Sequence, residues 1–345
     1  MGTRRPPSTV TLIDRVLEAS VVGSFSRFGS AARRRLYHWI PLARSDAARA
    51  PGRAVITGGS SGIGRAAAEL LLESGWSVAI VSRDRTRNAQ AVEGLRAHVG
   101  GPGAREADRV IGLVADLSDL DSVRGLGAQL GELGPIGVLV ICAGALLREF
   151  HRTDQGFEAS FALEVLGPTL LTSLVAGQLA AGSRPDRASM IITVSSGGMY
   201  PVRLDIGRLN DARPANYRPI LAYALAKRAQ VELTREWADR LTGTGTIAVS
   251  MHPGWVTTPG IDAGLPGFAR VMRPLLRTPA DGADTIAWLV DVAPDVLPGG
   301  FYFDRAVRSP HVVPSTATTA AERAMAFDLV AALAVASVPP RLGWG

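Results

Sequence analysis

Tyr223 and Lys227 stand four residues apart in the run Tyr223-Ala224-Leu225-Ala226-Lys227, and Lys227 is the only lysine among 345 residues that include 36 arginines. Guanidinium is a planar fork that stays protonated, whereas ammonium is a compact charge on a flexible stem. A site that keeps lysine against such a background calls for the compact charge. On a helix, a spacing of four puts both side chains on one face, one turn apart. A phenol beside an ammonium is expected to ionise more easily. Free tyrosine has a pKa of about 10, and each unit corresponds to about 1.36 kcal/mol, so ionisation near neutrality needs about 4 kcal/mol. One close cation in a partly desolvated cleft supplies most of that. Tyr-x-x-x-Lys alone is a weak signal, and its weight depends on what accompanies it.

A glycine-rich run, Thr57-Gly58-Gly59-Ser60-Ser61-Gly62-Ile63-Gly64, accompanies it. It follows an apolar strand-like segment and opens a helical one. Glycines there let the backbone approach a pyrophosphate, whose charge then sits on the helix N-terminus. Ser60 and Ser61 add hydroxyl donors. The end of the next strand separates the dinucleotides: an acid binds the ribose 2′-OH of NAD, and an arginine accommodates the 2′-phosphate of NADP. Here it reads Val81-Ser82-Arg83, with no acid before Asp84, and Arg65 offers a second clamp. NADP(H) is therefore preferred over NAD(H).

The elements that position these residues alternate along the chain. Strands are predicted at 53–57, 77–82, 110–115, 137–142, 190–195 and 246–251, with a last one at 300–303. Helices are predicted at 62–74, 87–99, 119–133, 157–181 (bent at Pro168) and 220–241, with a tail helix at 320–337. Such alternation implies an α/β fold, a doubly wound Rossmann domain with a seven-stranded, mainly parallel sheet and helical N- and C-terminal extensions. Ligands of such sheets sit at the carboxyl ends of the strands. Two long Gly- and Pro-containing loops, 197–219 and 257–279, fall at that edge and are expected to roof the pocket. Leu265, Pro266, Phe268, Val271, Met272 and Leu275 make the second roof apolar, which points to a lipophilic substrate.

Composition narrows the class. A hydrophobic fraction of 47% and a charged fraction of 20% read as a globular protein. The single cysteine, Cys142, excludes an internal disulfide framework and agrees with a reducing, cytoplasmic setting. Histidines are scattered without metal-ligand spacing, so no metal is expected. The net charge of +6 is concentrated at the N-terminus: residues 1–53 hold ten arginines against three acids. The remainder is nearly neutral, which argues against nucleic acid as a partner. No apolar run reaches the roughly 18 residues of a membrane span. The chain therefore divides into a basic amphipathic arm (1–50), the Rossmann domain (51–310) and a helical tail (311–345). Within the arm, Val10, Ile13, Val16, Leu17 and Val21 fall at helical spacing, followed by Phe25, Phe28, Tyr37 and Trp39 among arginines. Residues 1–45 suit a peripheral contact with an anionic membrane, or packing on the protein's own core or on a second subunit of a homo-oligomer.

Taken jointly, the motifs resemble the short-chain dehydrogenase/reductase family over about residues 52–305. They are Thr57-Gly58-x-x-x-Gly62-x-Gly64, Asp116-Leu117, Ala143-Gly144, Ser196, Tyr223-x-x-x-Lys227, and Pro253-Gly254 with Thr258. Val194-Ser195-Ser196-Gly197-Gly198-Met199, His252-Pro253-Gly254-Trp255, Gly282-Ala283-Asp284-Thr285 and Phe301-Tyr302-Phe303-Asp304-Arg305 mark a subgroup. The resemblance implies that Tyr223 is the general acid/base, that Lys227 lowers its pKa and binds the nicotinamide ribose, and that Ser196 rather than Ser195 holds the substrate oxygen. It implies that Asp116 and Leu117 contact adenine, that Gly58, Ser60, Ser61, Gly62, Ile63, Gly64, Ala143 and Gly144 line the cofactor, and that Pro253, Gly254 and Thr258 hold its carboxamide end.

Two departures stand out. Ile141-Cys142 occupies the place where two asparagines usually precede Ala-Gly. In Phe161-Ala162-Leu163-Glu164-Val165-Leu166-Gly167, Glu164 stands where the family usually brings an asparagine. Glu164 is expected to pair with Lys227, altering the tyrosine, and to retain a proton-relay role through water. If it weakens catalysis instead, the chain would be a cofactor-binding sensor or scaffold with little turnover. His252 reads as a turn residue, Cys142 as a packed side chain, and Trp237 and Trp288 as core or interface.

Overall fold

The computed structural model describes residues 14, 16–18, 20–39, 52–100, 108–292 and 295–335. The rest of the arm, the Gly100–Gly103 break beyond its first residue and the end of the tail lie outside the described residues. The strands are β1 (Arg53–Thr57), β2 (Ser77–Ser82), β3 (Val110–Val114), β4 (Val138–Ile141), β5 (Ser189–Val194), β6 (Thr246–Met251), β7 (Phe301–Phe303) and β8 (Ala306–Val307). They form one sheet in the order β3-β2-β1-β4-β5-β6-β7-β8, parallel except that β8 runs antiparallel to β7. The sheet thus has eight described strands where seven were expected. The extra one arises because Asp304 and Arg305 take positive φ values of 51° and 58°, which turns the chain straight back on β7.

The strands are apolar on both faces because helices cover both. In β1, Val55 points to one face, with the helices Leu120–Glu132, Gly167–Leu174, Pro219–Arg240 and Ala320–Val335. Ala54 and Ile56 point to the other, with Gly62–Glu73, Arg85–His98 and Pro279–Asp291. The tail helix is thereby part of the core: Phe327 meets Trp237 edge to face at 4.9 Å.

The predicted 157–181 helix is broken twice. Ala159–Phe161 passes into a π turn, Ala162–Leu166, before Gly167–Leu174, and the chain bends again at Val175 before Ala176–Gly182. Pro168 has no N–H to donate to the carbonyl four residues back, that of Glu164. A widened turn accommodates this, as π bulges commonly do at functional sites. No single described helix is long and apolar enough to cross a membrane.

The two roof segments contain short helices rather than open loops: Ile206–Asn210 in the first, Pro259–Gly264 and Pro266–Met272 in the second.

The described part of the arm packs on the protein's own body. Ser20 caps the helix Val21–Phe25, and a second helix, Arg27–Leu36, follows. The Phe25 carbonyl accepts from the Trp255 amide and from Arg277 Nε, both at 2.9 Å. Arg33 is fully buried and bonds Asp14, Glu18 and Asp304 at 2.7–2.9 Å. Asp304 also pairs with Arg277 at 2.5 Å. Arg33 is thus the centre of a buried network joining arm and sheet.

Candidate active site

The crevice opens where the strand order reverses, between β1 and β4. Gly58 and Gly62 take φ values of +69° and +54°, which favour glycine. A Cβ on Gly64 would lie 2.4 Å from the Gly58 carbonyl oxygen. The turn is therefore bare of side chains on its inner wall. It delivers the helix Gly62–Glu73, whose N-cap Ser61 makes no side-chain cap, so the first-turn N–H groups remain open to an anion. Beneath, Thr57 Oγ1 accepts from the amides of Cys142 and Ala143 at 3.0 and 3.1 Å, locking the ends of β1 and β4 together. This cradle fits a dinucleotide pyrophosphate.

The residues expected on the adenine side stand at the ends of β2 and β3. Arg83 is exposed there, while Arg65 pairs with Glu69 at 3.0 Å across one helical turn. The Asp116 carboxylate accepts from Ser118 N and Oγ at 2.8 and 2.6 Å, and Leu117 is packed into the core. Ser60 is half-buried. These five do not line the main cleft, which has a volume of ≈ 390 Å³. Gly58, Ser61, Gly62, Ile63, Gly64, Ala143, Gly144, Ser196, Tyr223, Lys227, Pro253, Gly254 and Thr258 all line it.

The helix expected to be catalytic, Pro219–Arg240, has Pro219 at its first position and places Tyr223 and Lys227 on successive turns. Lys227 Nζ lies 5.5 Å from the centre of the Tyr223 ring. Ser196, beyond β5, bonds the Tyr223 phenol and accepts from the Gly198 amide at 3.2 Å. Ser195 Oγ instead donates to the Lys227 carbonyl at 2.8 Å, a structural role. Glu164 Oε2 pairs with Lys227 Nζ at 3.3 Å, and its Oε1 accepts from the Ala145 amide at 2.9 Å. Gly144 makes room for this pair: a Cβ there would sit 3.0 Å from Nζ and 3.1 Å from Oε1.

The electrostatics correct one expectation. Burial pushes the Tyr223 phenol above its ordinary value; Lys227 and Ser196 oppose this, and the Glu164 charge adds to it. Tyr223 therefore does not see a bare cation, because the Glu164 charge opposes that of Lys227. Burial likewise pushes Glu164 up against the pull of Lys227, while burial pulls Lys227 down and Glu164, Tyr223 and Cys142 together raise it by more. The two titrate as a coupled pair.

His252 is buried among Phe25, Phe301 and Phe303, and burial holds it neutral with a pKa lowered to about 3, so it is no base at neutral pH. Cys142 lines the cleft, its thiol pushed up to about 11 by burial. Of the apolar roof, Leu265 and Phe268 reach the cleft, whereas Pro266, Val271, Met272 and Leu275 do not, and Val271 faces solvent. Sequence reasoning missed Leu146, Ile220 and Trp255 as lining residues. It also missed Gln230, which touches Lys227; its place three residues beyond Lys227 on the same helix face was the available signal.

The short chain dehydrogenase family model matches residues 53–205. Dehydrogenase/reductase SDR family member 12 of Bos taurus is 33% identical over 82% of this chain and 87% of its own, in agreement with the subgroup motifs. Retinol dehydrogenase 14 of Mus musculus is 35% identical over 70% of this chain and 74% of its own. L-Sorbose reductase from Gluconobacter frateurii, at 21% identity, shares the fold with a TM-score of 0.59 over 75% of this chain and 97% of its own. The chain belongs to the short-chain dehydrogenase/reductase family, a family of oxidoreductases.

Proposed function

We propose that the protein interconverts a carbonyl and an alcohol on a lipophilic small molecule with NADP(H), and that it works chiefly as a reductase. The observation that carries this reading is the convergence of Ser196, Tyr223 and Lys227 beside the glycine cradle, with the phenol pushed up rather than down. A reduced nicotinamide dinucleotide on that cradle would supply the hydride. Ser196 orients the substrate oxygen, and Tyr223 donates its proton to it. Lys227 holds the ribose and tempers the cost of the phenolate left behind. A phenol kept protonated across the physiological range suits donation better than abstraction. Ile220, Trp255, Leu265 and Phe268 give the substrate side an apolar wall; retinol, named for the mouse relative, is an alcohol of that kind. Oxidation of NADPH by a panel of apolar ketones and aldehydes tests the reading; a panel that leaves NADPH unconsumed overturns it.

Arg83, with no acid ahead of it at the end of β2, supports NADP(H). A charge-assisted hydrogen bond to the 2′-phosphate contributes about 1.5–3 kcal/mol. Arg83→Ala is thus expected to raise KM for NADPH by about 10- to 100-fold while leaving that for NADH within about twofold. Equal effects on both would remove Arg83 from the phosphate site.

Glu164→Asn is expected to lower the phenol pKa, because Lys227 then acts on Tyr223 unopposed by that charge. The alkaline fall of the reduction rate, where Tyr223 loses its proton, should move to lower pH. An unchanged profile and rate would show that Glu164 does not couple to the proton donor.

A further inference from the structure

We propose that Gln230 is a positioning residue, whose side-chain amide ties the Lys227 ammonium to the Glu164 carbonyl facing Pro168 and so fixes where the chain's one lysine charge sits beside Tyr223. Gln230 is 4% exposed and lies on the catalytic helix. Its Oε1 accepts from Lys227 Nζ at 3.0 Å, and its Nε2 donates to the Glu164 carbonyl at 2.8 Å. Only one orientation of an amide does both, because the ammonium has only donors and the carbonyl only accepts.

The two bonds explain each other. Pro168 cannot supply the N–H that a regular helix would give the Glu164 carbonyl. Gln230 supplies a donor in its place, and this fastens the π turn to the catalytic helix. The same turn brings the Glu164 carboxylate to 3.3 Å from the ammonium. Lys227 is thereby held by three acceptors: Gln230 Oε1, the Val194 carbonyl at 3.2 Å and Glu164 Oε2 at 3.3 Å. Two of the ammonium's three N–H groups are thus directed by Gln230 and the Val194 carbonyl, which leaves the third for Glu164 or a bound ribose. The Glu164 contact is the least well directed, since Oε2 makes no well-aligned hydrogen bond. Without Gln230, the ammonium would be drawn towards that carboxylate and away from the phenol. The ionisable groups that face Lys227 are Glu164 from the π turn, Tyr223 from its own helix and Cys142 from the end of β4, with Glu158 acting on Glu164 from behind.

The consequence for chemistry rests on the reading of Tyr223 and Lys227 as the proton-transfer pair; the tie itself does not. The single lysine allows a test that separates the two. In protein labelled with ¹⁵N only at the lysine Nζ, one ammonium signal reports Lys227. The wild type is expected to show it at neutral pH with slow hydrogen exchange. Gln230→Met, close in size but unable to bond either partner, should shift the signal and speed exchange by at least about 10-fold, because one of three acceptors is lost. Gln230→Asn, too short to span both partners, should do the same if the Met variant does not fold. In the same variants the alkaline limb of carbonyl reduction should move to higher pH. An ammonium signal with wild-type position and exchange in either folded variant overturns the proposal. A displaced signal with an unmoved pH profile sustains the tie and sinks the proton-transfer reading instead.

Discussion

Tyr223→Phe is expected to lower kcat for carbonyl reduction by about 10³-fold, inside the 10²–10⁴ range that a positioned proton donor contributes. The substitution removes one oxygen and keeps the ring, so packing is retained. NADPH affinity should stay within about twofold, since the glycine cradle, the helix N-terminus and Lys227 are untouched. The distinction matters because Lys227 and Ser196 both lean on the phenol. If binding and turnover fall together, the effect is on the shape of the site. If turnover alone falls, the lost group is the proton. Loss of less than about 10-fold would place the proton donor elsewhere. His252 is not a substitute donor, because it is buried among aromatic rings and burial lowers its pKa to about 3, leaving it without an ionisable proton at neutral pH.

The second large effect concerns stability. Asp304 is buried between Arg33 and Arg277, bonding the first at 2.7 Å and the second at 2.5 and 2.9 Å. Both guanidinium groups also lie over the Phe303 ring, 4.9 and 4.8 Å from its centre. Asp304→Asn keeps the shape and leaves the two cations without their shared anion. Asparagine accepts the positive φ of 51° at this residue, so no backbone strain confuses the result. Breaking a buried pair by removing one charge costs about 3–5 kcal/mol. Urea unfolding should show a loss of that size, and the 20–36 segment should become open to proteolysis first. A change below about 1 kcal/mol would mean that the arm is held by its apolar contacts alone.

The same network has a pH signature. Burial alone would raise Asp304 and Asp14, but Arg277 and Arg33 on the first, and Arg308 and Arg33 on the second, outweigh it and hold both below the usual range. Asp14 falls from 3.8 to about 2. A carboxylate depressed in the folded state contributes stability that is present above its unfolded pKa and lost as pH falls through the folded one. Arm docking should therefore hold down to about pH 4 and weaken towards pH 2. In Asp304→Asn part of that acid limb is already gone.

Much of this site was legible before folding was considered. β1, β2 and β6 fall where their apolar runs predict, because strands covered on both faces need little but apolar residues between turn signals. Tyr223 and Lys227 were found from residue type and spacing and Ser196 from the family resemblance, and all three line one cleft. The sign of the Tyr223 shift was not legible. Spacing reveals the lysine one turn away, but burial and the carboxylate of Glu164 arrive from a distant segment. The π turn was hidden for a similar reason: Pro168 marks a disturbance, yet Gln230, which satisfies the carbonyl, stands more than sixty residues later. Of the alternatives left open for the arm, packing on the protein's own core is the one its described residues take. Arginines among aromatics usually remain solvated, and only the meeting of Arg33 with Asp14 and Asp304 neutralises one of them enough to be buried.

The most direct test of the account follows a label through one turnover. Protein mixed with NADPH deuterated at the transferable C4 position and with an apolar ketone should yield an alcohol carrying one deuterium on the carbinol carbon, and Tyr223→Phe should bind the same NADPH yet yield almost none. Bound NADPH with no deuterium in any alcohol across the ketone and aldehyde panel, or equal transfer by the phenylalanine variant, would contradict it.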